Sequence, residues 1–171
     1  MDYIIRKPEL EDAEQIIEHK EIVTEKYPDT LATPIEDKGI PLEKQEDNIA
    51  SLKKEDLGLV VEVEGRIVGI LNLRQLDRKK FGHVCQFGVS LQPEYAGHGI
   101  GTELIEHAIR HAEESPVLEK IILDVFANNE GAIRFYERLG FVQEGRQKDQ
   151  VKLKDGYTDL IQMARFVRQD T

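Results

Sequence analysis

Apolar and polar positions follow two periods along this chain, and the switches between them outline its elements. DYIIRK reads as a first strand. Pro8 then leads into ELEDAEQIIEHKEIVTEK, where Leu10, Ala13, Ile16, Ile17 and Val23 fall close to one helical face. Residues 27–42 hold Pro28, Pro34, Gly39 and Pro41, which predicts a loop. LEKQEDNIASLKKE predicts a second, shorter helix, and LGLVVEVEGRIVGILNLRQL predicts two strands around a hairpin turn at Glu64-Gly65. FGHVCQFGVSL is a further strand. Ile100, Leu104, Ile105, Ala108, Ile109 and Ala112 then form one apolar helical stripe that Ser115-Pro116 ends. EKIILDVFA reads as a strand, NNEGAIRFYERLGF as a short helix closed by Gly140, and FVQEGRQ as the opening of the next strand. Asp155-Gly156 within VKLKDGYTDLIQMARF is a two-residue hairpin signal. Hairpins first and a β-α-β-α-β run afterwards predict an α+β fold with a mixed sheet.

Composition narrows the setting. The 171 residues fit one domain with a real core, spanning 1–171. No apolar run approaches the roughly 18 to 20 residues that a membrane helix needs, and MDYIIRKPELEDAEQ lacks the basic and apolar regions of a secretory signal. Cys85 is the single cysteine, so no internal disulfide forms and a reducing, cytoplasmic compartment is expected. The net charge of −10 argues against nucleic acid and weakly favours a cationic partner, although solubility alone would explain it.

The stretch PEYAGHGIGTEL breaks the pattern, with glycines at 97, 99 and 101 where a helix begins. Glycine is costly there unless bare backbone is needed. A strand, a glycine turn and a helix N-terminus together form an anion site, because unpaired N–H groups and the helix dipole both favour negative charge. The spacing is neither GxGxxG nor GxxxxGK[ST], which excludes the dinucleotide and nucleotide-triphosphate loops. A turn that only lets a helix pack tightly on a strand would leave the same trace.

VSLQPEYAGHGIGTELIEHAI resembles motif A of the GCN5-related N-acetyltransferases, the GNAT family. Its usual core is (Arg/Gln)-x-x-Gly-x-(Gly/Ala), and Ala96 stands here in place of the Arg or Gln, removing a side chain but no backbone donor. LDVFANNEGAIRFYERLGF resembles motif B of the same family, in the right order downstream. The resemblance implies a mixed, largely antiparallel central sheet flanked by helices and an acetyl-CoA-dependent transfer to an amine. It implies that Gly97, His98, Gly99, Ile100, Gly101 and Thr102 bind the pyrophosphate of coenzyme A. It further implies that Val89, Ser90 and Leu91 bind the pantetheine arm where their strand splays from the next. Asn129 and Arg138 match cofactor-contacting positions, though helix capping or a solvated surface would also account for them. Many members are dimers, so the resemblance extends to a homodimer.

Tyr136 matches the family's general acid, a phenol able to protonate a thiolate; Ala132, Ile133, Tyr136 and Leu139 also share one helical face, as core residues would. The general base stays open. Gln86 stands where many relatives place Glu, and it cannot take a proton. Asp124, in the apolar run IILDVF, is one candidate, His83 another, and a water chain a third. The acceptor amine, a small molecule or a peptide or protein N-terminus, would lie among the first helices, the 27–42 loop and the final hairpin. The missing strand carboxylate also motivates a rival: a CoA-binding regulatory module without turnover. His107 and His111 have metal-ligand spacing but no third ligand or HExxH pattern, so no metal site is expected.

Overall fold

The computed structural model describes residues 1–30 and 39–168. Of the loop expected over 27–42, residues 31–38 lie outside the described residues. Among the described residues seven strands form one sheet: β1 (Ile4–Arg6), β2 (Leu57–Val63), β3 (Arg66–Gln75), β4 (Val84–Leu91), β5 (Lys120–Phe126), β6 (Val142–Leu153) and β7 (Gly156–Phe166). Their order is β1-β2-β3-β4-β5-β7-β6. Helices α1 (Ala13–Lys26) and α2 (Leu42–Ala50) precede β2, α3 (Ile100–Glu114) joins β4 to β5, and α4 (Glu130–Arg138) joins β5 to β6. Every strand pair is antiparallel except β4 with β5. The fold is the mixed α+β architecture expected. No helix is long and apolar enough to cross a membrane among the described residues.

The sheet separates two apolar layers. Leu59 and Val61 of β2, Leu71 and Leu73 of β3 and Phe87 of β4 pack with Leu104, Ile105 and Ala108 of α3. Leu104 is completely buried, which stabilises the fold by roughly 1.5–3 kcal/mol. On the opposite face Val60, Ile67 and Ile70 meet Ile16 of α1, with Ile49 of α2 beside them. Ile67 and Ile70 share a face although three residues apart, because the β2–β3 register jumps from Val61↔Gly69 to Glu62↔Ile67. Val68 is the extra residue, and the bulge restores inward alternation beyond it. Nothing in the local pattern announces this.

Three elements differ from expectation in extent or placement. Leu10–Asp12 is a single 3-10 turn, and α1 proper starts at Ala13. Arg6 grips the Asp12 carboxylate with its two terminal guanidinium nitrogens, at 2.7 and 2.9 Å, and holds it below the usual carboxylate range. α2 ends at Ala50 because the chain turns early: Asp56 accepts the N–H groups of Lys53 and Gln75, each at 2.9 Å. In the last hairpin the turn centres on Lys154-Asp155, and Gly156 already pairs with Leu153. The hairpin exists as predicted, one residue earlier than its sequence signal. β7, not β6, lies against β5, so the charged and mostly exposed β6 forms the sheet edge, where charge discourages pairing with another chain.

Candidate active site

The centre of the sheet opens. β4 and β5 pair only at Val84↔Lys120, Cys85↔Ile121 and Gln86↔Ile122. Beyond that point β4 stays with β3 as far as Leu91, while β5 stays with β7 as far as Phe126. The β3–β4 ladder uses even-numbered residues of β4, as the bonds Leu76 N–H to Val84 O and Gln92 N–H to Val68 O show. Odd-numbered residues therefore direct their N–H and C=O toward the β5 side. At Val89 and Leu91, both half-buried, that side is the gap, where β5 no longer meets their main-chain groups. Ser90 falls on the other parity: its main chain serves the β3 ladder and its side chain faces α1, away from the role the resemblance gave it.

At the end of β4 the glycine turn enters α3. Gly97 and Gly99 have φ of 81° and 80°, in the left-handed region that side chains resist. A Cβ at either would meet nothing within 4 Å, so conformation and not crowding selects glycine there. Gly101 differs. Its backbone is helical, and a Cβ would stand 3.6 Å from Phe135 Cζ, an ordinary contact. Neither conformation nor packing requires it to be bare, and without a Cβ its backbone is open to close approach from outside. The first helical bond runs from Glu103 N–H to Gly99 O at 3.1 Å. The N–H groups of Ile100, Gly101 and Thr102 thus precede it without an intrahelical acceptor. Ile100 offers only its main chain, since its side chain is buried in the core; His98 is exposed. The turn, the bare N–H groups and the gap are chemically fit for a diphosphate joined to an amide-bearing arm.

α4 closes one side of this region. Asn129 caps it, its Oδ1 accepting Ala132 N–H at 3.2 Å. Tyr136 packs edge-on against Phe87 at 5.8 Å and Phe141 at 6.0 Å between ring centres. Among the described residues no hydrogen bond engages its hydroxyl, and burial pushes its pKa up to about 12. The phenol therefore stays protonated at neutral pH. Arg138 is exposed at the end of α4, over the Phe135 ring at 6.0 Å.

The α1 face of the gap is built from side chains. Asp124 stands on β5 two residues past the last β4 pairing, and Gln86 Nε2 donates to its Oδ2 at 3.4 Å. Burial raises the Asp124 pKa, and the Gln86 bond opposes that shift. His83 precedes the paired stretch, at the closed end of the two strands, so it and Asp124 are not brought together. Behind β4 lies a buried histidine that sequence reasoning missed. His19 of α1 is fully buried; Gln92 Nε2 donates to its Nδ1 at 3.2 Å, leaving Nε2–H to donate to Ser90 Oγ at 2.9 Å. Burial, with a lesser push from Lys20, lowers its pKa to about 4. The sequence held a trace of it, since His19 sits in the apolar stripe between Ile16 and Val23. His111, by contrast, bonds Glu55 O at 2.8 Å within the packing.

The family model described as acetyltransferase (GNAT) family matches residues 18–141. An L-amino acid N-acetyltransferase of Escherichia coli is 30% identical over 107 residues, covering 63% of this chain and 66% of that protein. A spermidine N(1)-acetyltransferase of the same bacterium is 31% identical over 113 residues, covering 64% of this chain and 58% of that protein. The match thus spans somewhat less than two thirds of these curated relatives. Among solved structures, a GNAT-family acetyltransferase from Streptococcus pneumoniae superposes with a TM-score of 0.88 at 26% identity, covering 96% of this chain and 99% of that one. The matched stretch holds both the β4–α3 glycine turn and α4, and the chain belongs to the acetyltransferase (GNAT) family.

Proposed function

We propose that residues 1–171 form a single N-acetyltransferase domain that moves an acetyl group from acetyl-CoA, the donor its family implies, to a primary amine. The observation that carries this reading is the β4–β5 gap opening directly onto the glycine turn. Main-chain N–H groups from the turn through Thr102 take the diphosphate, and Val89 and Leu91 take the pantetheine amides through N–H and C=O. Asn129 and Arg138 flank the arm and the nucleotide phosphate from α4.

When bound, acetyl-CoA supplies an acetyl thioester, whose carbon forms a C–N bond as its C–S bond breaks. An alkylamine is an ammonium at neutral pH, with a pKa of about 10.4, and must lose a proton first. Asp124 is the carboxylate placed to accept it and pass it to solvent; its raised pKa brings it closer to the working range. Tyr136, kept protonated by burial, donates to the departing sulfur and regains a proton released at the amine. Gln86 holds Asp124 in place rather than acting as a base.

Relatives that act on an L-amino acid and on spermidine support an amine acceptor. A cytoplasmic setting is compatible with Cys85, whose thiol burial keeps protonated, up to about 12. The homodimer implied by resemblance is read by sedimentation. The activity is tested by following thiol release from acetyl-CoA across amino acids, peptides and polyamines, beside Tyr136→Phe. Turnover that falls in the variant supports the enzyme; tight CoA binding with no turnover across the panel would establish the regulatory module instead.

A further inference from the structure

Between α1, α2 and β3 lies a cavity of about 270 Å³ that the cofactor elements do not use. Ile16, Val60 and Ile70 give it an apolar floor, whereas Lys20, Asn72 and Arg74 line it with polar groups. In a chain of net charge −10 this is a local reversal of sign. The Lys20 ammonium donates to Gln45 Oε1 at 2.7 Å. Among the described residues no carboxylate stands within ion-pair distance of it. Burial lowers its pKa, and the charges of Arg74 and Lys44 push the same way. Arg74 donates to Asn48 O at 3.0 Å and reaches Asp56 only at 3.8 Å, while Asp56 already accepts two main-chain N–H groups. Of the two cations only Arg74 reaches a carboxylate, one already committed to main-chain donors, and a partly desolvated cation such as Lys20 gains from an anion brought beside it.

The cavity faces the same side of the sheet as Asp124. On β3 and β4, Asn72 pairs with Gly88 and Arg74 pairs with Gln86, whose amide bonds Asp124. Gly88 puts no side chain between Asn72 and the gap. Arg74 of β3 and Asp124 of β5 therefore stand two strands apart, their backbones separated by about 10 Å or more.

We infer that this cavity is the acceptor's anion subsite, and that the acceptor is an amino carboxylate whose carboxylate meets Lys20 and Arg74 while its amine meets Asp124. The inference rests on the acetyltransferase reading and supplies the acceptor class that reading leaves open. A polyamine would bring positive charge against Lys20 and Arg74, so the same geometry selects against it.

The test compares kcat/KM for L-leucine, 5-aminopentanoate and glycylglycine with their carboxamides, and with spermidine, in wild type, Lys20→Gln and Arg74→Gln. At least one amino carboxylate should exceed its carboxamide by about ten- to a hundredfold, the range of a hydrogen bond to a charged group. Each variant should erase that preference through KM, while acetyl-CoA affinity holds and so reports an intact fold. If a variant does not fold, the wild-type preference alone decides. Carboxamides or spermidine used as well as or better than every amino carboxylate, or a preference surviving both variants, would overturn the subsite and leave the acetyltransferase standing. No acetylation of any of these amines would instead count against the acetyltransferase reading, and the subsite would fall with it.

Discussion

The two sides of the β4–β5 gap are made of different materials. On the α3 side the groups available are main chain: N–H groups at the glycine turn, and N–H and C=O of Val89 and Leu91 left over when β4 keeps its ladder with β3 only. On the α1 side they are side chains from separate segments: Lys20, Arg74, Gln86, Asp124 and, behind them, His19 with Ser90. A main-chain site tolerates substitution in most neighbours but demands bare backbone at fixed positions. A side-chain site can change ligand by changing one residue. The contrast fits a constant donor and a variable acceptor.

The sharpest way to break this contrast is a side chain on the wrong side of it. Tyr136→Phe keeps the ring packing against Phe87 and Phe141 and removes the phenol hydroxyl. It should lower kcat by about 10² to 10⁴-fold, with acetyl-CoA affinity nearly unchanged. A pre-steady-state and steady-state comparison reads both values, and unchanged kcat would make Tyr136 a core residue only.

Asp124→Asn sharpens the other side. If Asp124 takes the amine's proton, kcat/KM falls as pH drops through its pKa, which lies above the ordinary carboxylate value because of burial. The variant should lose that acidic limb and roughly 10²-fold in rate at neutral pH. A pH profile that keeps the limb would shift the base to solvent.

His19 gives a stability readout on the same face. Its folded pKa of about 4 lies below the ordinary 6.5, so between these values the unfolded chain binds a proton that the folded chain refuses. The stability it preserves is fully present above pH 6.5 and is lost as pH falls toward 4. The amount is about 3 kcal/mol, from the size of the shift. Urea titrations of wild type and His19→Gln across this window should show a shallower loss in the variant. Parallel slopes would mean that His19 titrates normally and is not sealed behind Ser90.

Legibility followed the same division. The glycine turn and the α4 motif stand in continuous sequence, because a main-chain site is written by the residues that shape its own backbone. Positive φ at Gly97 and Gly99 and the bare helical Gly101 were therefore readable as a local anomaly. The α1 face was not. His19 and Ser90 are 71 residues apart, and Gln86 and Asp124 are 38 apart, so only the folded sheet makes them neighbours. Nothing local sets Lys20 apart from the other charges of α1. The Val68 bulge and the insertion of β7 beside β5 escaped for the same reason, since register and strand order are settled between strands and not within them.

The most direct measurement of the central claim is calorimetric titration of acetyl-CoA into wild type and Gly99→Glu. Space exists for the new side chain, so the fold should hold, at about 1–2 kcal/mol of backbone strain. The carboxylate would stand where the diphosphate is taken. Saturable binding by wild type, weakened at least about a hundredfold in the variant, is the predicted result. No binding by wild type, or equal binding by both, would contradict a main-chain cradle and reduce the glycines to a device for joining α3 to β4.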